Sequence, residues 1–152
     1  MTLLAAPTFA ASMIFLVRHA ERADSGGSVS SDPGLSAEGR TRALHLVQEL
    51  KDAKIAAIFT SEYQRTQQTA APLAKSLGIH LEVVPGKDVP SLVARIRATS
   101  GNVLVVGHSN TLPQIIKALG ISTPLIMTEA DYDNLFVVLP GESPRLIWLH
   151  YR

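Results

Sequence analysis

A chain of 152 residues has room for one domain with a substantial core and too little for two ordinary ones. Apolar residues make up 46% and charged residues 18%, which excludes a disordered chain, and a net charge of +1 argues against bulk capture of nucleic acid. The absence of cysteine removes disulfides, thiolate metal sites and cysteine nucleophiles.

Residues 1–12, MTLLAAPTFAAS, carry no charge and resemble the end of a signal peptide, with small residues around Ala10 and Ala11. The alternative is an apolar N-terminal arm packed on the domain. The first reading implies export to the periplasm, the second a cytoplasmic protein. No run is long enough to span a membrane. Residues 13–152 are read as one domain.

Met13–Val17, MIFLV, predicts a first strand buried on both faces, ending at the cationic pair Arg18 and His19. The Gly, Ser, Asp and Pro of residues 24–34 predict a loop. From Ser36, a plausible N-cap, the spacing of Ala43, Leu46, Val47 and Leu50 predicts a helix. Ile55–Phe59 reads as a second strand, followed by a helix that Gly78 terminates and that Pro72 should kink or break. HLEVV (80–84) predicts a short strand, and residues 89–100 a helix. NVLVVGHSN (102–110) repeats the opening pattern of a buried strand ending in a histidine. Thr111–Leu119 reads as a helix with Pro113 in its first turn. Residues 135–152 predict two strands joined by a Pro/Gly turn, an antiparallel hairpin at a sheet edge.

Alternation of strands and helices predicts an α/β fold with a mostly parallel sheet. In such sheets ligands bind outside the carboxyl ends of the strands, where Arg18, His19, Arg65 and His108 all fall. Arginine can hold two phosphate oxygens through its planar fork, and nearby helix N-termini add oriented N–H groups, so the site suits phosphate. Neutral histidine is a competent nucleophile near physiological pH. Taken singly, Arg18 also suits capping carbonyls or pairing with Glu21, and His108 suits a structural role. As a set, buried cations without an anion are costly. His45, His80 and His150 read as structural or solvated. The charges of EADYDN (129–134) read as a solvated loop, with the rim of the site as the alternative.

The motifs LVRHAE (16–21), LSAEGRTRA (35–43), TSEYQRTQQTA (60–70) and VVGHSN (105–110) resemble, in order, those of the histidine phosphatase superfamily, which includes cofactor-dependent phosphoglycerate mutase. The resemblance covers most of Ile14–Leu119. It implies a phosphoglycerate mutase-like three-layer αβα sandwich in which His19 is phosphorylated, Arg18, Arg65 and His108 clamp the phosphoryl group, and Asn110 joins them in binding phosphate. Ala20 stands where the commonest form has glycine, and Ser25 where many members have a phosphate-binding asparagine. The acid that protonates the leaving oxygen would be Asp88, by its place after the third strand, with Glu21 and Glu62 as competitors.

The expected activity is hydrolysis of phosphomonoesters, with a phosphohistidine protein phosphatase and a non-catalytic phosphate-binding module as alternatives. The partner is then a small phosphorylated substrate or a phosphoprotein, not nucleic acid. The arginines supply the positive charge a metal would otherwise bring, so no metal or cofactor is called for. Oligomeric state is left open.

Overall fold

The computed structural model describes residues 11–23 and 31–152. Most of the proposed arm and Ser25 lie outside the described residues. Ten elements follow in order: β1 Ala11–Arg18, α1 Ala37–Leu50, β2 Ile55–Thr60, α2 Gln64–Leu77, β3 Leu81–Val83, α3 Val89–Ala98, β4 Gly101–Gly107, α4 Leu112–Ala118, β5 Asn134–Leu139 and β6 Arg145–His150. The strand begins two residues earlier than the apolar run suggests, because Ala11 pairs with Gly101 across the sheet.

The six strands lie in the order β3-β2-β4-β1-β5-β6. β1, β2, β3 and β4 are mutually parallel, while β5 and β6 are antiparallel additions and form the expected edge hairpin. Successive residues of a strand face opposite layers, and the core divides accordingly. Ile14, Leu16, Val103 and Val105 pack with Leu92, Ile96 and Ile115 of α3 and α4. Phe15, Val17, Leu104 and Val106 pack with Leu46, Leu50 and Leu73 of α1 and α2. The architecture is a three-layer αβα sandwich.

Two local features set the helices that flank the site. Ser36 caps α1, its hydroxyl accepting from Gly39 N–H at 3.0 Å. A Cβ on Gly39 would stand 2.2 Å from the Glu21 carbonyl oxygen, so only glycine lets α1 approach the segment after β1 this closely. α2 runs through Pro72 without a break and ends at Gly78 in the left-handed conformation, φ 68°. Thr69, Ala70, Leu73 and Ala74 bury one face of that helix on both sides of the proline. Their packing offsets the lost hydrogen bond, which explains why the helix does not break at Pro72.

Candidate active site

The register of β1 on β4 pairs Arg18 with Gly107, so the next residues, His19 and His108, leave the sheet side by side. Their rings meet edge to face with centroids 5.3 Å apart. His19 N–H donates to the Gly107 carbonyl at 2.9 Å, which ties the two strand ends together. Arg65, in the first turn of α2, completes the cluster: its Nη2 lies 3.5 Å from His108 Nδ1.

His19 is 3% exposed. Its Nδ1 stands 2.8 Å from the Ala20 carbonyl oxygen, an acceptor only, so in the neutral ring Nδ1 carries the hydrogen and Nε2 keeps its lone pair. Burial, with Arg18, His108 and Arg65 nearby, pushes its pKa down to about 3, against a raising contribution from the Ala20 bond. Ala20, in the place where glycine is commoner, is itself fully buried, and its N–H donates to Thr69 Oγ1 at 2.9 Å. His108 is driven down to about 4, chiefly by burial and then by Arg65, with Glu62 opposing. Both rings are therefore neutral at pH 7.

The two arginines are held differently. Arg18 Nη1 donates to the carbonyls of Thr128, Glu129 and Asp131 at 2.9–3.3 Å, and its guanidinium lies over the Tyr132 ring, 4.1 Å from the centroid. Its Nη2 donates to Glu129 Oε2 at 3.1 Å, while Glu129 Oε1 accepts from Ser109. The EADYDN segment, read first as a solvated loop, thus forms a wall of the site. Arg65 lies over Tyr63 at 4.5 Å, and its Nη1 is 3.9 Å from Asp32. Desolvation and Arg22 lower its pKa. Arg18 Nε and Arg65 Nε are both buried without a hydrogen-bond partner.

The carboxylates fall in different places. Asp88 caps α3, accepting from Ser91 N–H at 3.1 Å, a bond that holds its carboxyl below the usual range. Glu21 is clamped by Arg42, with Nη2 to Oε1 at 2.6 Å, and so does not pair with Arg18. Glu62 Oε2 accepts from Gly86 N–H at 2.7 Å, on the side of the site where His108 meets Ser61. Asn110 is exposed and lines, with Tyr63, Arg65, Lys87, His108 and Gln114, a recess of about 300 Å³. Among the described residues, no three His, Asp or Glu stand together as a metal site would require.

Sequence reasoning missed Ser61, whose hydroxyl meets His108 Nε2 at 2.9 Å, and Tyr132, whose ring is 6.2 Å from that of His19. Ser61 was legible as a residue at the end of β2, the same edge that carries the other groups.

A family model described as the histidine phosphatase superfamily, branch 1, matches residues 14–88. The chain belongs to the histidine phosphatase superfamily. A structure of the protein histidine phosphatase SixA complexed with tungstate superposes with a TM-score of 0.73 at 22% identity, covering 91% of this chain and 96% of that one. The mycobacterial glucosyl-3-phosphoglycerate phosphatase gives 0.72 at 16% identity, with 92% and 98% covered. The α-ribazole phosphatase of Shigella flexneri gives 0.71 at 16%, with 91% and 96% covered. At these identities the likeness is one of fold. A 55-residue stretch is 47% identical to a PE-PGRS family protein of Mycobacterium tuberculosis, a match spanning 36% of this chain and 9% of that protein.

Proposed function

We propose that the protein is a phosphatase that hydrolyses phosphomonoesters through a phosphohistidine at His19. The observation that carries this reading is the state of His19. Its ring is neutral, its Nδ1 is committed to the Ala20 carbonyl so that Nε2 keeps the lone pair, and Arg18, Arg65 and His108 stand near enough to depress its pKa. Arg18 and Arg65 bring two positive charges to the nucleophile, and an oxyanion there would offset the cost of holding them buried.

The chemistry follows from that arrangement. Nε2 of His19 attacks phosphorus, the ester P–O bond breaks, and the leaving oxygen takes a proton from a carboxylic acid. Water then attacks phosphorus, the P–N bond breaks, and the carboxylate takes the water's proton, releasing phosphate and restoring neutral His19. Arg18, Arg65, His108 and Asn110 would hold the equatorial oxygens, on which charge is spread in the transition state. For Arg18 this requires that Glu129 give up Nη2. For Asp88 to act as the acid it must leave its cap on Ser91 N–H, whereas Glu62 already stands on the His108 side of the site.

A recess of about 300 Å³ beside His108 and Arg65 supports a small phosphorylated substrate as the first to test. The phosphohistidine protein alternative draws support from the fold shared with SixA. Hydrolysis of an aryl phosphate by wild type and His19→Ala, with rapid quench for acid-labile phosphate, decides the matter. Turnover and trapped phosphohistidine in wild type alone sustain the proposal. A phospho-enzyme that persists in His19→Ala, or none with either substrate type, overturns it. Export remains an inference from residues 1–12, tested by locating the protein in cell fractions.

A further inference from the structure

His108 sits at the end of a chain of hydrogen bonds whose direction can be worked out atom by atom. Its Nδ1 faces Arg65 Nη2 at 3.5 Å and its Nε2 faces Ser61 Oγ at 2.9 Å. A guanidinium nitrogen only donates, so Nδ1 accepts, and the hydrogen of the neutral ring is on Nε2. Ser61 Oγ therefore accepts, and its own hydrogen goes to Thr66 Oγ1 at 3.0 Å. Thr66 Oγ1 accepts from Ser61 N–H at 3.1 Å as well, and donates to the Tyr63 carbonyl at 2.8 Å. With Tyr63 N–H also donating to Ser61 Oγ at 3.4 Å, each hydroxyl then donates its one hydrogen and accepts with its lone pairs, and no group is set in the wrong role. Reversing the chain would set Nδ1–H against an arginine N–H and would cost either the Ser61–Thr66 hydroxyl bond or the 2.8 Å bond of Thr66.

We propose that Ser61 is a positioning residue: an obligate acceptor that holds His108 in the Nε2–H form and leaves Nδ1 basic on the side of Arg65. The catalytic consequence rests on the phosphatase reading. When a phosphate ester enters as its monoanion, the proton of its P–O–H passes to Nδ1, and the imidazolium so formed donates back to a now dianionic phosphoryl group. The bond from Nε2–H to Ser61 is the same before and after, so no hydroxyl has to rotate. Without an anion, burial and Arg65 keep the ring neutral. Ser61 is itself buried and never enters the reaction.

The experiment is ¹⁵N NMR of the protein labelled at histidine, with tungstate as the anion probe. In wild type at neutral pH, His108 should show hydrogen on Nε2 and a bare Nδ1, becoming an imidazolium as tungstate binds. Ser61→Ala should give mixed tautomers at His108, about tenfold weaker tungstate binding and a ten- to hundredfold lower kcat/KM, with the His19 signals unchanged. Ser61→Thr, which keeps the hydroxyl acceptor, should restore all three. Hydrogen on Nδ1 in wild type, or a tautomer indifferent to Ser61→Ala, overturns the proposal. If Ser61→Ala does not fold, the wild-type spectrum alone decides the direction of the chain. A correct tautomer in an enzyme that forms no phosphohistidine leaves Ser61 in place and removes the phosphatase reading.

Discussion

His19 and His108 leave neighbouring parallel strands at the same level, yet they are wired oppositely. His19 gives its Nδ1–H to the backbone carbonyl of Ala20 and keeps the lone pair on Nε2, whereas His108 is tied through Nε2 to the Ser61 side chain and turns Nδ1 to Arg65. One ring nitrogen must reach phosphorus, and the other only an oxygen around it. A backbone partner fixes the nucleophile as firmly as the fold itself. A hydroxyl partner leaves the helper's orientation dependent on two further side chains. Position in the sheet brings both histidines to the site, and the identity of the hydrogen-bond partner determines what each can do.

The contrast predicts unequal losses. His19→Ala should lower kcat by at least about 10⁴-fold and abolish the phospho-enzyme, because no other group can take its place. His108→Ala should cost about 10² to 10³-fold, with phosphohistidine still trapped on rapid quench. Equal losses, or a phospho-enzyme missing from both, would erase the distinction. Arg65→Lys should cost about 10-fold or more in kcat/KM, since a point charge cannot both reach the phosphoryl group and meet His108 Nδ1 as the fork does.

Acid sharpens the comparison through stability. Both rings titrate near 6.5 when unfolded and near 3 and 4 when folded. Below about pH 6.5 the unfolded chain binds the extra protons, so their contribution is present in full above that pH and is lost as the pH falls toward 4. The loss should be on the order of 2–4 kcal/mol between pH 7 and 5, read from urea midpoints, and His108→Gln should remove about half of it. The smallest effect is expected at the shared wall. Glu129→Gln removes a carboxylate that holds Arg18 Nη2 and Ser109, so KM for an aryl phosphate should fall a few-fold, with kcat little changed. A drop in kcat instead would make Glu129 the acid.

The clamp was legible because Arg18, His19, Arg65 and His108 are marked by where they stand in the chain, at strand ends and in the first turn of a helix. The mostly parallel sheet was legible from the alternation of strands and helices, and the edge hairpin from its Pro/Gly turn, whereas the strand order came only from the structure. What sequence could not give was pairing at a distance. Residues 128–132 have no periodicity, and only the return of the chain toward β5 lays their carbonyls on Arg18. At Pro72 the break, one of the two outcomes expected, does not occur, because the packing of the whole helix outweighs the propensity cost of one residue. Asp88 matched by spacing, but a carboxylate just ahead of a helix also suits capping, and that is the bond it makes.

The grip of the 128–132 segment on Arg18 also orders events during synthesis. Arg18 precedes Glu129, whose carbonyl it bonds, by 111 residues. At roughly 5–20 residues per second the ribosome adds that length in about 6–20 s. Until residues 128–131 have been made, the Arg18 guanidinium lacks the carbonyls that hold it in the finished fold. Arg18 is thus held by a part of the chain made after β4, and its side of the phosphate site cannot be complete before then.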